Sequence, residues 1–175
     1  FFLTRVSSDL IDLAMLLDAC KRRWKDVKYE LFMPYLPYAR QDRVMNVGES
    51  LSVKVVCDFI NSLGFSKVTV RDIHSDVGVA LLGNLCHINM IQCAFDIPFM
   101  NRKNTILVSP DAGANKKVLA FAKEYGYHTV VRADKTRDVS TGKITGTAVY
   151  SENVGDKDFL ILDDIADGGR TFIEL

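Results

Sequence analysis

The sequence has few of the features that mark membrane, nucleic-acid-binding or disulfide-stabilised proteins. No apolar run reaches the roughly 20 residues that a membrane span requires, and the opening Phe1-Phe2-Leu3 is too short for a signal-peptide core. Its 22 Lys and Arg are matched by 22 Asp and Glu, whereas a dedicated nucleic-acid binder usually carries a basic excess. The four cysteines form no Cys-x-x-Cys pair, so we expect reduced core residues. These absences favour a cytoplasmic protein with neither membrane nor nucleic acid as a partner.

What the sequence does have is an alternation of strand and helix patterns along all of its 175 residues. Apolar residues at helical spacing predict helices over 9–23, 49–63, 77–85 and 115–125. Short apolar runs predict strands over 30–33, 67–73, 88–95, 105–108, 129–131 and 158–162, the last of them buried, with a further edge strand over 147–154. This alternation is typical of an α/β fold with a largely parallel sheet and helices on both faces. Asp96-Ile97-Pro98 is a candidate domain junction.

Polar clusters follow five of the predicted strands. Ligands of open α/β sheets bind outside the carboxyl ends of the strands, so these clusters are the candidate binding residues. They lie at 40–43, 74–76, 109–113, 132–137 and 163–171.

The last cluster is the most informative one. Asp163 and Asp164 end an apolar strand, and the Gly-rich turn Asp167-Gly168-Gly169-Arg170-Thr171 opens a predicted helix. The backbone N–H groups of such a turn can bind a phosphate, and the two carboxylates would then reach the hydroxyls of an attached sugar. The alternative is a structural strand-to-helix turn with Asp as its N-cap.

Two further clusters offer charged groups to a phosphate. Arg40 and Arg43 flank Gln41 and Asp42, and arginine forks suit phosphate oxygens, although a solvated charged loop is the alternative. Lys135 and Arg137 stand two apart in a polar stretch, where a mobile loop would bring positive charge onto a reacting phosphate or would simply be solvated.

Histidine and aspartate after two different strands form a candidate metal site. His74 and Asp111 could share a divalent cation, and carboxylate with water suits magnesium. Taken singly, His74 would more often be a hydrogen-bonded structural residue. His87 and His128 have no such context, and we predict structural roles for both.

In their order along the chain, these strings resemble the motifs of ribose-phosphate diphosphokinases, also called phosphoribosyl pyrophosphate synthetases. The resemblance runs from about Thr4 to the end of the chain. It rests on Pro34-Tyr-Leu-Pro-Tyr-Ala-Arg-Gln-Asp-Arg43, Gly48-Glu-Ser-Leu-Ser-Val-Lys54, Asp72-Ile-His74, Ser109-Pro-Asp-Ala-Gly113, Asp134-Lys-Thr-Arg137 and Leu162-Asp-Asp-Ile-Ala-Asp167.

The resemblance implies two phosphoribosyltransferase-like doubly wound domains. Residues 1–95 would form an N-terminal ATP-binding domain that lacks its upstream start, and residues 96–175 a C-terminal domain that is incomplete in this chain. It also implies a homo-oligomer, a dimer or a hexamer, with an active site near a subunit interface.

The resemblance further implies the reaction and the roles of the site residues. The diphosphoryl group of ATP would pass to the anomeric hydroxyl of ribose 5-phosphate, with Mg²⁺ as cofactor, for nucleotide and NAD biosynthesis. The matching positions are Arg40, Gln41, Asp42, Arg43 and His74 for ATP, His74 and Asp111 for the metal, Lys135 and Arg137 for catalysis, and Asp163, Asp164, Asp167, Gly168, Gly169, Arg170 and Thr171 for ribose 5-phosphate.

The phosphate turn departs from the usual pattern of the family. Gly168 stands where the family has Thr, and Arg170 stands where it has Gly. This change keeps open the alternative of a non-catalytic regulatory homologue that associates with an active synthetase. A phosphoribosyltransferase is a further alternative, because it fits the final loop, but it leaves Arg40 to Arg43 unexplained.

Overall fold

The computed structural model describes residues 7–93, 102–137, 144–150 and 155–175. The chain divides into two compact units, residues 1–89 and 90–175.

The first unit is a three-stranded parallel sheet with helices. Its elements are α1 (Ser7–Arg23), β1 (Glu30–Met33), α2 (Ser52–Ser62), β2 (Lys67–Arg71), α3 (Asp76–Leu81) and β3 (Leu85–Ile88). The strand order is β1-β2-β3, and both pairs are parallel, with Leu31 opposite Val68 and Val70 opposite His87.

Helix dipoles and apolar spacing explain the two long helices of this unit. α1 has Asp9 in its first turn and Lys21 in its last turn, the arrangement that the helix macrodipole favours. Lys21 Nζ also donates to the carbonyl of Leu63, 2.8 Å away, just after α2. On α2 the spacing of Val53 and Ile60 puts both on the face that packs into the core.

The second unit has a mixed four-stranded sheet. Its elements are α4 (Met90–Cys93), β4 (Thr105–Ser109), α5 (Asn115–Tyr125), β5 (Val130–Arg137), β6 (Ile144–Tyr150), β7 (Asp158–Ile161) and α6 (Arg170–Ile173). The order is β6-β5-β4-β7, with β4 parallel to both β5 and β7, and β6 antiparallel to β5. Helix α5 contributes Val118 and Phe121 to the core and ends at Gly126, whose φ of 71° is the left-handed conformation common after helices.

The mixed α/β architecture with mostly parallel strands is confirmed, but three predicted elements are corrected. The predicted strand over 88–95 is wrong, because β3 ends at Ile88 and residues 90–93 form α4; residues 94–95 lie outside the described residues. A short apolar run does not distinguish a strand from a buried helical turn, and here Met90 packs into the core of the second unit.

The other two corrections concern the second sheet. Strand β7 is exposed rather than buried, with 47% of Phe159 and 39% of Ile161 accessible, because within the described residues it pairs only with β4. Strand β5 continues to Arg137, where the sequence predicted a loop, because β6 pairs with it. The edge strand predicted over 147–154 is found as β6, and residues 151–154 lie outside the described residues.

Candidate functional site

In the first unit, the backbone of the 40–43 cluster is held in place by the core. Leu36 and Ala39, just before it, are both buried in the hydrophobic cluster of this unit. The carbonyl of Gln41 accepts the N–H of Val53, 3.3 Å away, in the first turn of α2. Arg40 and Gln41 are therefore exposed side chains on a fixed backbone.

Asp42 and Arg43 differ in their exposure. The side chain of Asp42 is only 13% exposed, whereas that of Arg43 is 74% exposed, and Arg43 Nε lies 3.4 Å from Asp42 Oδ1. An ion pair with one partner so exposed contributes little to stability. The guanidinium thus stays open to solvent and to a ligand.

The turn that carries His74 is packed against the same loop. Gly78 on α3 lies so close to its neighbours that an added Cβ would be 2.8 Å from Ile73 Cγ2 and 3.0 Å from Leu36 Cδ2. Ile73 is adjacent to His74, and Leu36 belongs to the loop that leads to Arg40. Gly78 therefore packs against both the loop that leads to the 40–43 cluster and the turn that leads to His74.

His87 is a residue whose contact the sequence did not reveal. Its Nε2 accepts the backbone N–H of Ile73 at 3.1 Å. The role predicted for His87 was structural, and nothing in the apolar strand around it pointed to this contact with the His74 turn.

In the second unit, Asp111 lies at the carboxyl end of β4, in the turn that precedes α5. Its Oδ1 accepts the N–H of Ala114 at 3.1 Å, and its carbonyl accepts the hydroxyl of buried Ser109 at 3.1 Å. Aspartate side chains commonly accept a nearby backbone N–H in turns. This contact fixes the carboxylate beside the end of the strand.

Asp163 and Asp164 lie at the carboxyl end of β7, the parallel neighbour of β4. Asp163 Oδ1 accepts the N–H of Asp164 at 2.9 Å. Burial raises the pKa of Asp163 to about 7, helped by the hydrogen bond to the Asp164 side chain and by the negative charges of Asp164 and Asp111. The structure thus brings these three carboxyl groups into one neighbourhood, which the sequence analysis did not predict, because it paired Asp111 with His74.

Lys117 brings a positive charge to Asp164, and the sequence motifs did not indicate it. Its Nζ lies 4.0 Å from Asp164 Oδ2, with 26% of the Lys117 side chain and 9% of the Asp164 side chain exposed. The sequence did contain one signal of a negatively charged partner. Lys116 and Lys117 occupy the first turn of α5, where the helix dipole disfavours positive charge.

The phosphate turn is a glycine turn followed by one helical turn. Gly169 has a φ of 71°, which favours glycine, and its carbonyl accepts the N–H groups of Phe172 and Ile173, each 3.0 Å away. A Cβ added at Gly168 would meet no atom within 4 Å. Asp167 is exposed and Thr171 half-buried, and α6 begins at Arg170.

Lys135 and Arg137 lie on a strand of an antiparallel hairpin, not in a loop. Lys135 is opposite Thr147 and Arg137 is opposite Ile144, with a register shift between Thr136 and Arg137. Residues 138–143, which connect the two strands in sequence, lie outside the described residues.

The described residues contain neither a metal-binding cluster nor a membrane-spanning helix. No group of three or more His, Cys, Asp or Glu side chains there is arranged to hold a metal ion. None of the helices seen in these same ranges has the length and apolar character needed to cross a membrane. The proposed metal ligands lie in different units, His74 in the first and Asp111 in the second.

Comparisons with known proteins agree with the resemblance. Residues 2–64 match the family model described as the N-terminal domain of ribose phosphate pyrophosphokinase. Ribose-phosphate pyrophosphokinase 2 of Archaeoglobus fulgidus is 29% identical over 168 residues, which cover 96% of this chain and 58% of the relative. The ribose-phosphate pyrophosphokinase of Rhizobium meliloti is 32% identical over 178 residues, covering 93% and 52%.

A solved structure shows the same fold. The crystal structure of phosphoribosylpyrophosphate synthetase from Mycobacterium smegmatis superposes with a TM-score of 0.75 at 24% identity, covering 93% of this chain and 52% of that one. The chain spans about half the length of the relatives that it matches. The chain is therefore similar to ribose-phosphate pyrophosphokinases over nearly all of its own length, and its residues 2–64 match the N-terminal domain of that family.

Proposed function

We propose that the protein transfers the diphosphoryl group of ATP to the anomeric hydroxyl of ribose 5-phosphate, giving 5-phosphoribosyl 1-diphosphate and AMP for nucleotide and NAD biosynthesis. The observation that carries the proposal is the neighbourhood of Asp163, Asp164, Asp111 and Lys117 at the carboxyl ends of two parallel strands. Carboxylates beside a glycine turn suit a sugar phosphate, and the family match points to the same substrate.

Each cluster has its own role in the proposal. Asp163 and Asp164 bind ribose hydroxyls, and the turn from Asp167 to Thr171, with Gly168, Gly169 and Arg170, binds the 5-phosphate. The exposed Arg40 and Arg43, with Gln41, Asp42 and His74, bind ATP on the fixed loop of the first unit.

Lys135 and Arg137 are the proposed catalytic residues. Phosphoryl-transfer chemistry requires neutralisation of charge and in-line positioning more than a strong base. Their positions two residues apart on β5 place two cations in a single short segment of chain. We propose that they stabilise the charge that develops on the transferred diphosphate.

Magnesium is the proposed cofactor, with Asp111 and His74 as ligands. The fit rests on the chemistry of the donor atoms, since the carboxylate of Asp111 is held beside the end of β4 by the N–H of Ala114, and carboxylates are hard ligands that Mg²⁺ prefers. When bound, Mg²⁺ would neutralise phosphate charge. The proposed assembly is a homo-oligomer.

The test is an assay of the purified protein with ATP, Mg²⁺ and ribose 5-phosphate, with both products followed by chromatography. Lys135→Ala should lower kcat by orders of magnitude and leave the affinity for ATP within a few-fold, since a transition-state contact affects kcat more than ground-state binding. Lys123→Ala, on the exposed face of α5, is the matched control and should change neither.

Four outcomes would contradict the proposal or a part of it. Absence of AMP across a range of Mg²⁺ and phosphate concentrations would reject the activity. Absence of activity together with copurification of an active synthetase would favour the regulatory homologue, and diphosphate release with a nucleobase acceptor would favour a phosphoribosyltransferase. Equal losses of ATP binding and kcat in Lys135→Ala would reject the role of Lys135.

A further inference from the structure

His87 connects β3 to the turn that follows β2. The two strands pair in parallel, with Val70 opposite His87 and Arg71 opposite Ile88. Beyond the end of β2 the contact continues, because the N–H of Asp72 donates to the carbonyl of Ile88 at 2.7 Å. The next N–H, that of Ile73, donates to the imidazole Nε2 of His87 at 3.1 Å. Two consecutive amides of the turn are therefore held by β3.

The backbone of this turn needs such support. Asp72 has a φ of 31°, which is unusual for a residue other than glycine. Strained conformations of this kind persist only where the surrounding structure fixes them. Ile73 is buried against the first unit's core and lies close to Gly78, so the strained turn has little room to relax.

In the hydrogen bond with Ile73, His87 contributes an acceptor nitrogen. An imidazole that accepts at Nε2 carries its proton on Nδ1 and is neutral. The other residues of β3, Leu85, Cys86 and Ile88, offer no comparable nitrogen acceptor in their side chains. Replacing His87 by an apolar residue would leave the Ile73 amide without this acceptor at a half-buried position.

We propose that His87 is a positioning residue: by accepting the Ile73 amide it fixes the Asp72–His74 turn and so sets the position of the His74 side chain. The link to ATP rests on the function proposed above, in which His74 binds the nucleotide. His87 itself lies on β3 and acts through the backbone of Ile73, so its effect is on His74 and not on ribose 5-phosphate.

The first measurement tests the contact without reference to activity. Hydrogen exchange of the Ile73 amide should be at least about tenfold faster in His87→Leu than in the wild type, the size expected when one hydrogen bond is lost. His87→Gln keeps an acceptor oxygen at a similar reach and should restore much of the protection. Unchanged exchange in His87→Leu would overturn the proposal.

The second measurement tests the consequence for substrates. His87→Leu should raise the KM for ATP by about tenfold and keep the KM for ribose 5-phosphate within about twofold, as expected when one contact to a single substrate site is disturbed. His87→Gln should lie closer to the wild type. His128→Leu, which removes an exposed histidine of the second unit, is the matched control and should change neither KM.

The outcomes separate this proposal from the function on which it rests. If the wild type binds MgATP in a calorimeter but makes no AMP, the proposed reaction fails. The role of His87 can still be tested in that case, because His87→Leu should bind MgATP more weakly than the wild type. Equal rises of both KM values, or equal defects in the Leu and Gln variants, would show a general structural role and overturn the positioning role.

Discussion

Gly78 offers a sharp test of how the first unit holds its candidate site. In Gly78→Ala the new Cβ would lie 2.8 Å from Ile73 Cγ2 and 3.0 Å from Leu36 Cδ2, closer than side chains tolerate. Both neighbours are buried, and Ile73 Cγ2 is attached directly to Cβ, so neither can move away without displacing its surroundings.

The magnitude follows from two opposing effects. Overpacking a well-packed core lowers the stability of a protein by about 1–3 kcal/mol. Replacing glycine by alanine within a helix raises it by up to about 1 kcal/mol. With about 2 kcal/mol for the overpacking and about 1 kcal/mol for the helix propensity, the free energy of unfolding should fall by about 1 kcal/mol. Each kcal/mol corresponds to a Tm lower by about 4–8 °C for a unit of this size.

Urea unfolding followed by circular dichroism measures this change, with Gly146→Ala as the control. A Cβ added at Gly146 on β6 meets no atom within 4 Å, and the stability of that variant should stay the same or rise slightly. If Gly78→Ala were as stable as the wild type, or if both variants lost the same stability, the space around Gly78 would not be too small for a Cβ, and the reasoning would be refuted.

Three further predictions concern the second unit. Lys117→Met should lower kcat/KM for ribose 5-phosphate by about tenfold, because it removes a cation beside the buried carboxylate of Asp164; Lys123→Met on the same helix should not, and equal effects would contradict the assignment. Since the pKa of Asp163 is raised to about 7 in the folded protein, the folded state binds more protons than the unfolded state between about pH 4 and pH 7, and the free energy of unfolding should fall as the pH rises through this window. Urea unfolding across that range should show a smaller fall in Asp163→Asn, and an identical pH profile would refute the shift. Gly168→Thr has space for its side chain and adds a hydroxyl donor, so it should lower the KM for ribose 5-phosphate at unchanged Tm; a higher KM would argue against a phosphate at this turn.

The sequence was most informative where one local pattern determines one local structure. The helix over 115–125 with Gly126 after it was predicted with its observed bounds, because apolar spacing and a left-handed glycine are both local signals. The positions of Asp111 and Asp163 after the carboxyl ends of two strands were also predicted, whereas their closeness depends on the pairing of β4 with β7.

The sequence was least informative where pairing with a distant strand decides the outcome. Polar residues up to Arg137 suggested a loop, and only the partner β6 makes them a strand. The contact of His87 with Ile73 is of the same kind, because it depends on the register between β2 and β3. Lys117 was missed for another reason: its role depends on burial beside Asp164, which a helix pattern does not report.

The pairing of β7 with β4 has a consequence for the order in which the second unit forms during synthesis. Thr105 on β4 is opposite Asp158 on β7, and β5 and β6 lie between them in the chain. A ribosome releases the chain from its N-terminus, so β4, β5 and β6 emerge first, and the free edge of β4 stays open until β7 arrives. Asp163 and Asp164 follow β7 directly, and the carboxyl pair therefore reaches Asp111 and Lys117 only after the rest of this sheet has emerged.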